Sequence, residues 1–539
     1  MRPRNGSTAL FFKAAPALVA AATAAVFLPS VRFEFVNWDD QPMLVSNPLF
    51  RGLDWAHVRW MFTTGYMANY QPLSWLSYAL DYRLWGMNPF GFHLTNVVLH
   101  AVNAALFCLL ARVLLGASLP DAEEADVSLA AVLAALLFAL HPLRAESVAW
   151  VSERRDVLSG FFYLLTVLLY LSARKTPDAA SARRREIASW SAYALSLSSK
   201  GIGVSLPITL LALDFYPLRR RLTGALLKEK YPYIGLALAA GLVGAVSQNR
   251  AGAVLSIDTS WTSRIAHAFE ALCFYPWKSL VPTGLIPFYS LPDSIPWWHW
   301  TFVLSAAAVS TFTAAALFGR RRWPAATAAW VHYLGAAAPV VGLLRFGPQL
   351  AADRYSYLSC MAWPLLLGGE LLAFRRGAPL VRRAALAFAA AALVAVSAAA
   401  TVRQIGFWRD SVTLWSHALQ VHPDEPLARN NLGEALAARG RGGEAIAQYR
   451  QAIELQPDYA DARDNLGIEL EKRGETAEAL DQFWTALWFE PGSKDAHLNL
   501  ALTYMAHGDR ERARFLIERA LEIDPGFSDA RAALARLGP

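Results

Sequence analysis

Eleven apolar stretches, separated by arginine-rich breaks, occupy the first 402 residues of this 539-residue chain. They run 9–30, 93–115, 127–142, 157–173, 187–199, 203–218, 231–249, 299–319, 325–345, 355–374 and 380–402. A helix needs roughly 20 mostly apolar residues to cross a bilayer, and in lipid its backbone must pair within itself. The pattern therefore predicts an all-α, polytopic membrane domain over 1–402. Only 17% of the chain is charged, against roughly 25% in soluble globular chains. That deficit excludes a disordered protein and argues against an ordinary soluble multidomain one.

The charges are unevenly divided. Residues 403–539 hold 16 Lys and Arg against 22 Asp and Glu, and the remainder holds 34 against 21. A basic, sparsely charged part is thus joined to an acidic, densely charged one. Basic clusters fall at Arg174 and Lys175 with Arg183, Arg184 and Arg185, and at Arg219, Arg220 and Arg221 with Lys228 and Lys230. Others are Arg320, Arg321 and Arg322, and Arg375 and Arg376 with Arg382 and Arg383. Cytoplasmic loops collect Lys and Arg. Starting inside and alternating puts every cluster on the cytoplasmic side.

The first stretch, preceded by Arg2 and Arg4, reads as an uncleaved signal anchor because many spans follow it. The segment 264–290 carries Arg264, His267, Glu270, Lys278 and several prolines. It reads as a re-entrant or interfacial helix on the outer face. Eleven crossings leave the carboxyl-terminal part outside. That compartment is the periplasm of a bacterium, which the Ala/Arg-rich composition favours, or the endoplasmic reticulum lumen of a eukaryote. Cys108, Cys273 and Cys360 show no metal spacing and read as small core residues.

The carboxyl-terminal part has a second period. Asn431-Leu432-Gly433 recurs as Asn465-Leu466-Gly467 and Asn499-Leu500-Ala501, each 34 residues on. Pro423, Pro457, Pro491 and Pro525 keep the same step, as do Ala445, Ala479 and Ala513, and Ala452, Ala486 and Ala520. Tyr449, Phe483 and Ile517 share one position. This is the tetratricopeptide pattern. Small residues let two antiparallel helices approach, and the proline ends the second helix. The domain 403–539 is expected to be an α-solenoid with full repeats at 426–459, 460–493 and 494–527. Residues 411–423 would form half of a degenerate repeat, and 528–537 a cap. Such stacks bind peptides or proteins in a concave groove, or serve only as structural or dimerising elements.

Chemistry is sought in the outer loops. The loop 31–92 holds Asp39 and Asp40 after Asn37-Trp38, then Trp55, Trp60, Tyr66, Tyr70, Trp75, Tyr78, Tyr82 and Trp85. The aromatic residues fit an interfacial belt. The carboxylates repel each other, and one held ionised by a nearby cation takes a proton from an acceptor hydroxyl. The second outer loop runs from His141-Pro142 through Glu146 to Arg154, Arg155 and Asp156, and reads as a charged amphipathic helix. Glu146, Trp150 and Glu153 share one face by helical spacing. Its arginines violate the inside bias, so a phosphate ligand is a natural reason for them. Pairing with Glu153 and Asp156 is the plainer one. Lys200, in the Ser199-Lys200-Gly201 corner, and Arg354, in Asp353-Arg354-Tyr355, stand between the same readings: snorkelling, or holding a phosphate.

Taken in order, these loop motifs together with Leu358-Ser359 and the repeats resemble the transmembrane and tetratricopeptide-repeat proteins. That family includes protein O-mannosyltransferases using dolichyl-phosphate mannose, within the C-type (GT-C) superfamily of polytopic glycosyltransferases. The resemblance implies an acidic catalytic base in the first outer loop, mapping to Asp39 or Asp40, with Asp39 favoured. It maps a second-loop acid to Glu146, and Arg154 and Asp156 to the family's Arg-x-Asp positions, near His141. The chain departs from the family at Gly201, where an acidic residue often follows Ser-Lys, and at Arg155, where a small residue is usual.

The implied activity is an inverting hexosyltransferase, with mannose or a similar hexose leaving a polyprenyl-phosphate carrier for a protein or glycan hydroxyl. Arg154, Arg155, Lys200 and Arg354 would hold the donor phosphate. No nucleotide-binding loop is visible, which suits a lipid-linked donor, and no nucleic-acid partner is expected. The outer carboxylates are of a kind that also holds a divalent cation, although no His/carboxylate constellation demands one. The rival readings are a non-enzymatic membrane scaffold recruiting envelope partners through its repeats, and a lipid-linked oligosaccharide transporter or polymerase. A transporter would carry ionisable residues mid-span, and these spans are nearly free of them.

Overall fold

The computed structural model describes residues 6–250, 260–291, 298–343 and 349–538. Arg2 and Arg4 lie outside the described residues. The described chain is helical apart from one antiparallel pairing of Tyr289–Ser290 with Gln349–Ala351. It divides into two compact units, Met1–Arg409 and Asp410–Pro539. The boundary falls a few residues after the expected one because the last apolar helix runs on through Leu380–Gly406.

The first unit is an integral membrane domain. Among the described residues six helices are long and apolar enough to cross a bilayer: Lys13–Arg32, Pro89–Ser118, Val151–Lys175, Gly224–Asn249, Trp300–Phe318 and Leu380–Gly406. Two bent pairs raise this to eight. They are Glu124–Ala139 with Pro142–Ala149, bent by 57°, and Asp353–Ser359 with Ala362–Arg375, bent by 51°. The other three of the eleven stretches fall outside this set. Stretch 187–199 is the end of a helix, Ala179–Ser199, whose first half carries Arg183, Arg184, Arg185 and Glu186. Stretch 203–218 is the short Gly201–Phe215 segment, and 325–345 begins as the 14-residue helix Pro324–Ala337. Hydropathy alone does not register where proline, glycine or a charged turn breaks a helix. Segment 264–290 is mostly the helix Trp261–Leu280 with Pro276 inside it, and it is not among the long apolar helices.

Ion pairs mark one end of the unit. Arg174 pairs with Glu186, and with Glu229 at 3.2 Å. Arg220 reaches Glu229 at 2.7 Å and Asp214 at 3.0 Å, while Lys230 reaches Asp214 at 2.6 Å. Two arginine-rich breaks therefore meet in one place. At the opposite end the first and last spans finish together: the Glu34 N–H donates to the Arg409 carbonyl at 3.0 Å.

The first long loop folds on itself. Asp54 caps the helix Trp55–Thr63 by accepting from the Ala56 and His57 amides, a usual N-cap role. Trp75 and Tyr78 are fully buried with Met43, Leu44, Phe50 and Phe92. The interfacial-belt reading is corrected for these residues: a long loop with its own helices buries its apolar faces in a core, here shared with Val151. Trp55 and Trp85 do stay exposed.

The second unit is a tetratricopeptide stack. Its helix pairs are Pro426–Ala438 with Gly442–Leu455, Ala460–Lys472 with Thr476–Phe489, and Lys494–Ala506 with Arg510–Ile523. The half repeat is Ser411–Val421 and the cap Ser528–Leu537. Ala445, Ala479 and Ala513 are fully buried at the helix crossings, as are Ala452, Ala486 and Ala520. A Cβ on Gly467 would lie 2.6 Å from the Phe483 ring, so glycine is what lets that ring close the pair.

Candidate active site

The site begins with a broken helix. Pro142 stops the apolar run before it, and the chain continues as short turns, Pro142–Arg144, Ala145–Ala149 and Val151–Glu153. Trp150 is extended, with φ −84° and ψ 119°. The expected continuous amphipathic helix is therefore corrected to three short turns, and Arg154, Arg155 and Asp156 form the first turn of Arg154–Lys175. Glu146 and Glu153 still converge, because Arg354 reaches both. Its Nη1 donates to Glu146 and its Nε lies 3.3 Å from Glu153. Its backbone N–H donates to Glu146 at 2.8 Å, and its guanidinium lies 5.4 Å over the Trp150 ring.

Glu153 is the hub. It is fully buried and accepts from Arg155 Nε at 3.1 Å and Lys200 Nζ at 2.7 Å, besides Arg354. Lys200 also donates to Asp156 at 2.7 Å, and Asp156 accepts from Ser147 Oγ at 3.1 Å. Two of the three lysine donors are thereby used. Lys200 stands where the helix Ala179–Ser199 gives way to extended backbone, and Ser74 Oγ donates to the Ser199 carbonyl at 3.0 Å. The Tyr355 ring faces Arg354 at 5.0 Å and Lys200 at 5.9 Å.

The aspartate doublet divides. Asp40 is 1% exposed. It accepts from Ser152 N at 2.8 Å, from Ser152 Oγ, and from Val36 N at 3.1 Å. Burial pushes its carboxyl up to about 7 against those bonds. It is a strut between the first loop and the 151–153 turn. Asp39 lies 3.3 Å from Arg155 with its side chain 28% exposed, against 0% for Glu153 and 1% for Asp156. Burial raises the Asp39 carboxyl too, while Arg155 and Arg354 oppose the rise. Asp39 is the most exposed carboxylate of this group.

Two expected residues stand elsewhere. Arg154 is 0% exposed. It pairs with Asp81, donates to Asn96 Oδ1 at 2.9 Å and to the Phe92 carbonyl at 2.6 Å, and lies 4.7 Å over the Tyr78 ring. It is a brace of the first loop, and its expected place among the phosphate-holding cations is corrected. His141 Nε2 lies 3.1 Å from the Ser279 carbonyl, while its Nδ1 accepts from Leu143 N at 3.2 Å. It caps the turn and ties it to the helix Trp261–Leu280. Residues 39, 146, 155, 156, 200 and 354 do come together.

Sequence reasoning missed Glu153 as the centre, Tyr355, and Arg144. Arg144 is buried, donates to Ser356 Oγ at 2.8 Å and lies over the Phe138 and Tyr357 rings. The signal for Glu153 was the surplus of outer cations: clustered positive groups away from water need a shared counter-charge. Among the described residues, no group of three or more His, Cys, Asp or Glu is placed to hold a metal ion.

Two repeat-family models match the second unit, one described as TPR repeat over 433–472 and one as tetratricopeptide repeat over 470–537. The human protein O-mannosyl-transferase TMTC2 is 30% identical over 154 residues, which is 27% of this chain and 17% of the relative. Mouse protein O-mannosyl-transferase TMTC1 is 38% identical over 178 residues, 31% of this chain and 18% of the relative. The Drosophila melanogaster protein O-mannosyl-transferase Tmtc2 is 30% identical over 228 residues, 40% of this chain and 23% of the relative. The chain thus spans about a fifth of the length of the curated relatives it matches. The crystal structure of MamA is 23% identical at a TM-score of 0.22, covering 23% of this chain and 74% of that one; at that score the likeness carries no argument.

Proposed function

The chain is a TMTC-like transmembrane and tetratricopeptide-repeat protein, and from that premise we propose that it is an inverting glycosyltransferase. It moves mannose or a similar hexose from a polyprenyl-phosphate carrier to a hydroxyl of a protein or glycan. The observation that carries this reading is one reachable carboxylate, Asp39, 3.3 Å from Arg155 on the rim of a buried charge cluster. The similarity to proteins named protein O-mannosyl-transferases supports it.

In the proposed step the acceptor hydroxyl attacks the anomeric carbon and gives its proton to Asp39. The new carbon–oxygen bond forms as the bond to the phosphate oxygen breaks, and that oxygen takes the electron pair. Arg155, Lys200 and Arg354 face the leaving phosphate and stabilise its growing charge. Glu153 and Glu146 fix these cations, so no reorganisation is needed as the charge develops. Asp40 holds the Asp39 loop on the 151–153 turn. The reaction side is the non-cytoplasmic one, the periplasm of a bacterial inner membrane, since two of the basic breaks meet at the other end of the unit. The chain leaves the unit at Arg409, at the end where the first span also finishes, and the repeats receive the acceptor polypeptide or a protein partner.

The test is Asp39→Asn in the full chain, reconstituted with polyprenyl-phosphate mannose and an acceptor peptide. Transfer is expected to fall by about two to four orders of magnitude, with the unfolding midpoint unchanged. Full transfer by that variant overturns the assignment.

A further inference from the structure

A second cavity of the first unit, of about 280 Å³, shares no lining residue with the charge cluster. Five helices wall it: Pro89–Ser118, Arg154–Lys175, Leu206–Phe215, Pro324–Ala337 and Ala362–Arg375. His332 and Thr209 stand at its deep end, and Tyr216, Pro217 and Glu370 at the end nearer the arginine-rich breaks. We propose that this cavity takes one acyl chain of a zwitterionic phospholipid. The ammonium of the head group meets Glu370 and its phosphate meets Arg219. The site goes beyond the glycosyltransferase reading and does not rest on it.

The polar groups at the deep end are already paired. Tyr163 Oη donates to Thr209 Oγ1 at 2.7 Å. His332 Nδ1 lies 2.9 Å from the same hydroxyl, and its Nε2 lies 3.1 Å from the Leu358 carbonyl. These side chains satisfy one another, and most of the remaining wall is leucine and alanine. An unpaired polar group or charge is costly against such a surface. The depth therefore excludes a peptide, a sugar or inorganic phosphate and accepts hydrocarbon. An apolar cavity of about 150 Å³ already stays dry and takes a benzene-sized guest, so this larger one has room for a run of methylenes.

The mouth is charged, and its charges lack partners. Glu370 is exposed in the run Leu365-Leu366-Leu367-Gly368-Gly369-Glu370-Leu371-Leu372. The next cations along the chain are spent: Arg375 lies 3.1 Å from Asp126, and Arg376 lies 3.4 Å from Asp121. Among the described residues no cation pairs with Glu370, and an intramembrane carboxylate of this kind points to a ligand rather than to packing. On the other side of the mouth, the Arg219 guanidinium lies 5.9 Å over the ring of Tyr216. Arg220 beside it is used by Glu229 and Asp214, whereas Arg219 meets no carboxylate among the described residues. Arg219 also takes a φ of 50°. Left-handed backbone at a residue other than glycine persists where surrounding structure over-determines it, often at ligand clamps. An unpaired carboxylate and an unpaired guanidinium on one apolar cavity complement a head group that carries both charges. A purely anionic lipid would meet Glu370 with like charge.

The experiment delipidates the full chain in detergent and offers it phosphatidylethanolamine and phosphatidylglycerol with the same acyl chains at equal mole fraction. Retained lipid is counted by native mass spectrometry, a readout that needs no sugar transfer. One phosphatidylethanolamine is expected to be retained about tenfold over phosphatidylglycerol, which corresponds to roughly 1.4 kcal/mol of preference. Glu370→Gln is expected to bring the two lipids to parity. Arg219→Gln is expected to lower retention of both together, because both carry the phosphate. A Cβ on Gly369 would stand 3.5 Å from the Leu115 side chain, so Gly369→Leu fills the cavity and is expected to abolish retention. Leu366→Trp, on the same wall, serves should that variant misfold. Equal retention of the two lipids by the unmodified chain overturns the proposal. So does a full preference in Glu370→Gln, or a preference that survives both cavity-filling variants.

Discussion

The two units solve the problem of burying polar groups in opposite ways. In the repeats, Asn465 donates to Asn430 at 3.0 Å and Asn499 to Asp464 at 2.8 Å, each across 35 residues. Every such bond joins one repeat to the next, and the pattern advances with the sequence. In the membrane unit, Arg155 reaches Asp39 across 116 residues and Arg354 reaches Glu146 across 208. A stack stabilised by nearest neighbours is close to one-dimensional. The charge cluster is a single closed object, and removing one member strands the rest. The comparison teaches that the first unit has one place where a side chain cannot be lost cheaply, while the second spreads its cost along its length.

Breaking the cluster at its hub has the largest expected effect. Glu153→Ala leaves Arg155, Lys200 and Arg354 without their shared carboxylate, and breaking a buried pair this way costs about 3–5 kcal/mol. Unfolding of the detergent-solubilised chain should show the first unit lost early, with repeat protection intact by limited proteolysis. A smaller effect belongs to Gly467→Val, which drives a side chain into the Phe483 ring. Overpacking of this kind costs about 1–3 kcal/mol. It should loosen exchange protection in 460–506 and leave the unfolding of the first unit unchanged. Equal loosening of both units by either variant would erase the contrast.

The smallest effect sharpens the comparison through pH. Burial pushes the Asp464 carboxyl up to about 7, with Asp495 and Asp461 adding to the rise and Asn499 opposing it. The folded state therefore holds that proton more tightly than the unfolded chain does. Stability from this group is full below about pH 4 and is lost as pH rises through 7. Asp40 gives the first unit the same sign. Asp464→Asn should raise the stability of the repeats at pH 8, change it little near pH 4, and leave the first unit's slope alone. Hydrogen exchange in 460–506 at the two pH values reads the difference.

The repeats were legible because their chemistry is local and recurs. Gly433 and Gly467 announce the rings of Tyr449 and Phe483 sixteen residues on, and the alanines keep the same period. The apolar stretches were legible as helices, but their number was not. Stretches 187–199, 203–218 and 325–345 fall on helices that are partly charged or end early, so length in sequence overstates length in an apolar helix. In the site, Asp39 and Lys200 stood out as charged residues where lipid rewards none. Arg154 stood out equally, and became a brace because Asp81, Asn96 and the Tyr78 ring surround it.

By itself the sequence determined composition-level and periodic features: which segments are apolar enough for lipid, where the acidic solenoid starts, and which charged residue types stand in the outer loops. Those follow from transfer free energy and from a repeating contact, both of which act over short windows. Only the tertiary structure decided which carboxylate stays reachable, which arginine is spent on the scaffold, and that Glu153 sits at the centre. Those outcomes depend on groups hundreds of residues apart sharing one low-dielectric volume, where each charge is tolerated only in the geometry its neighbours impose.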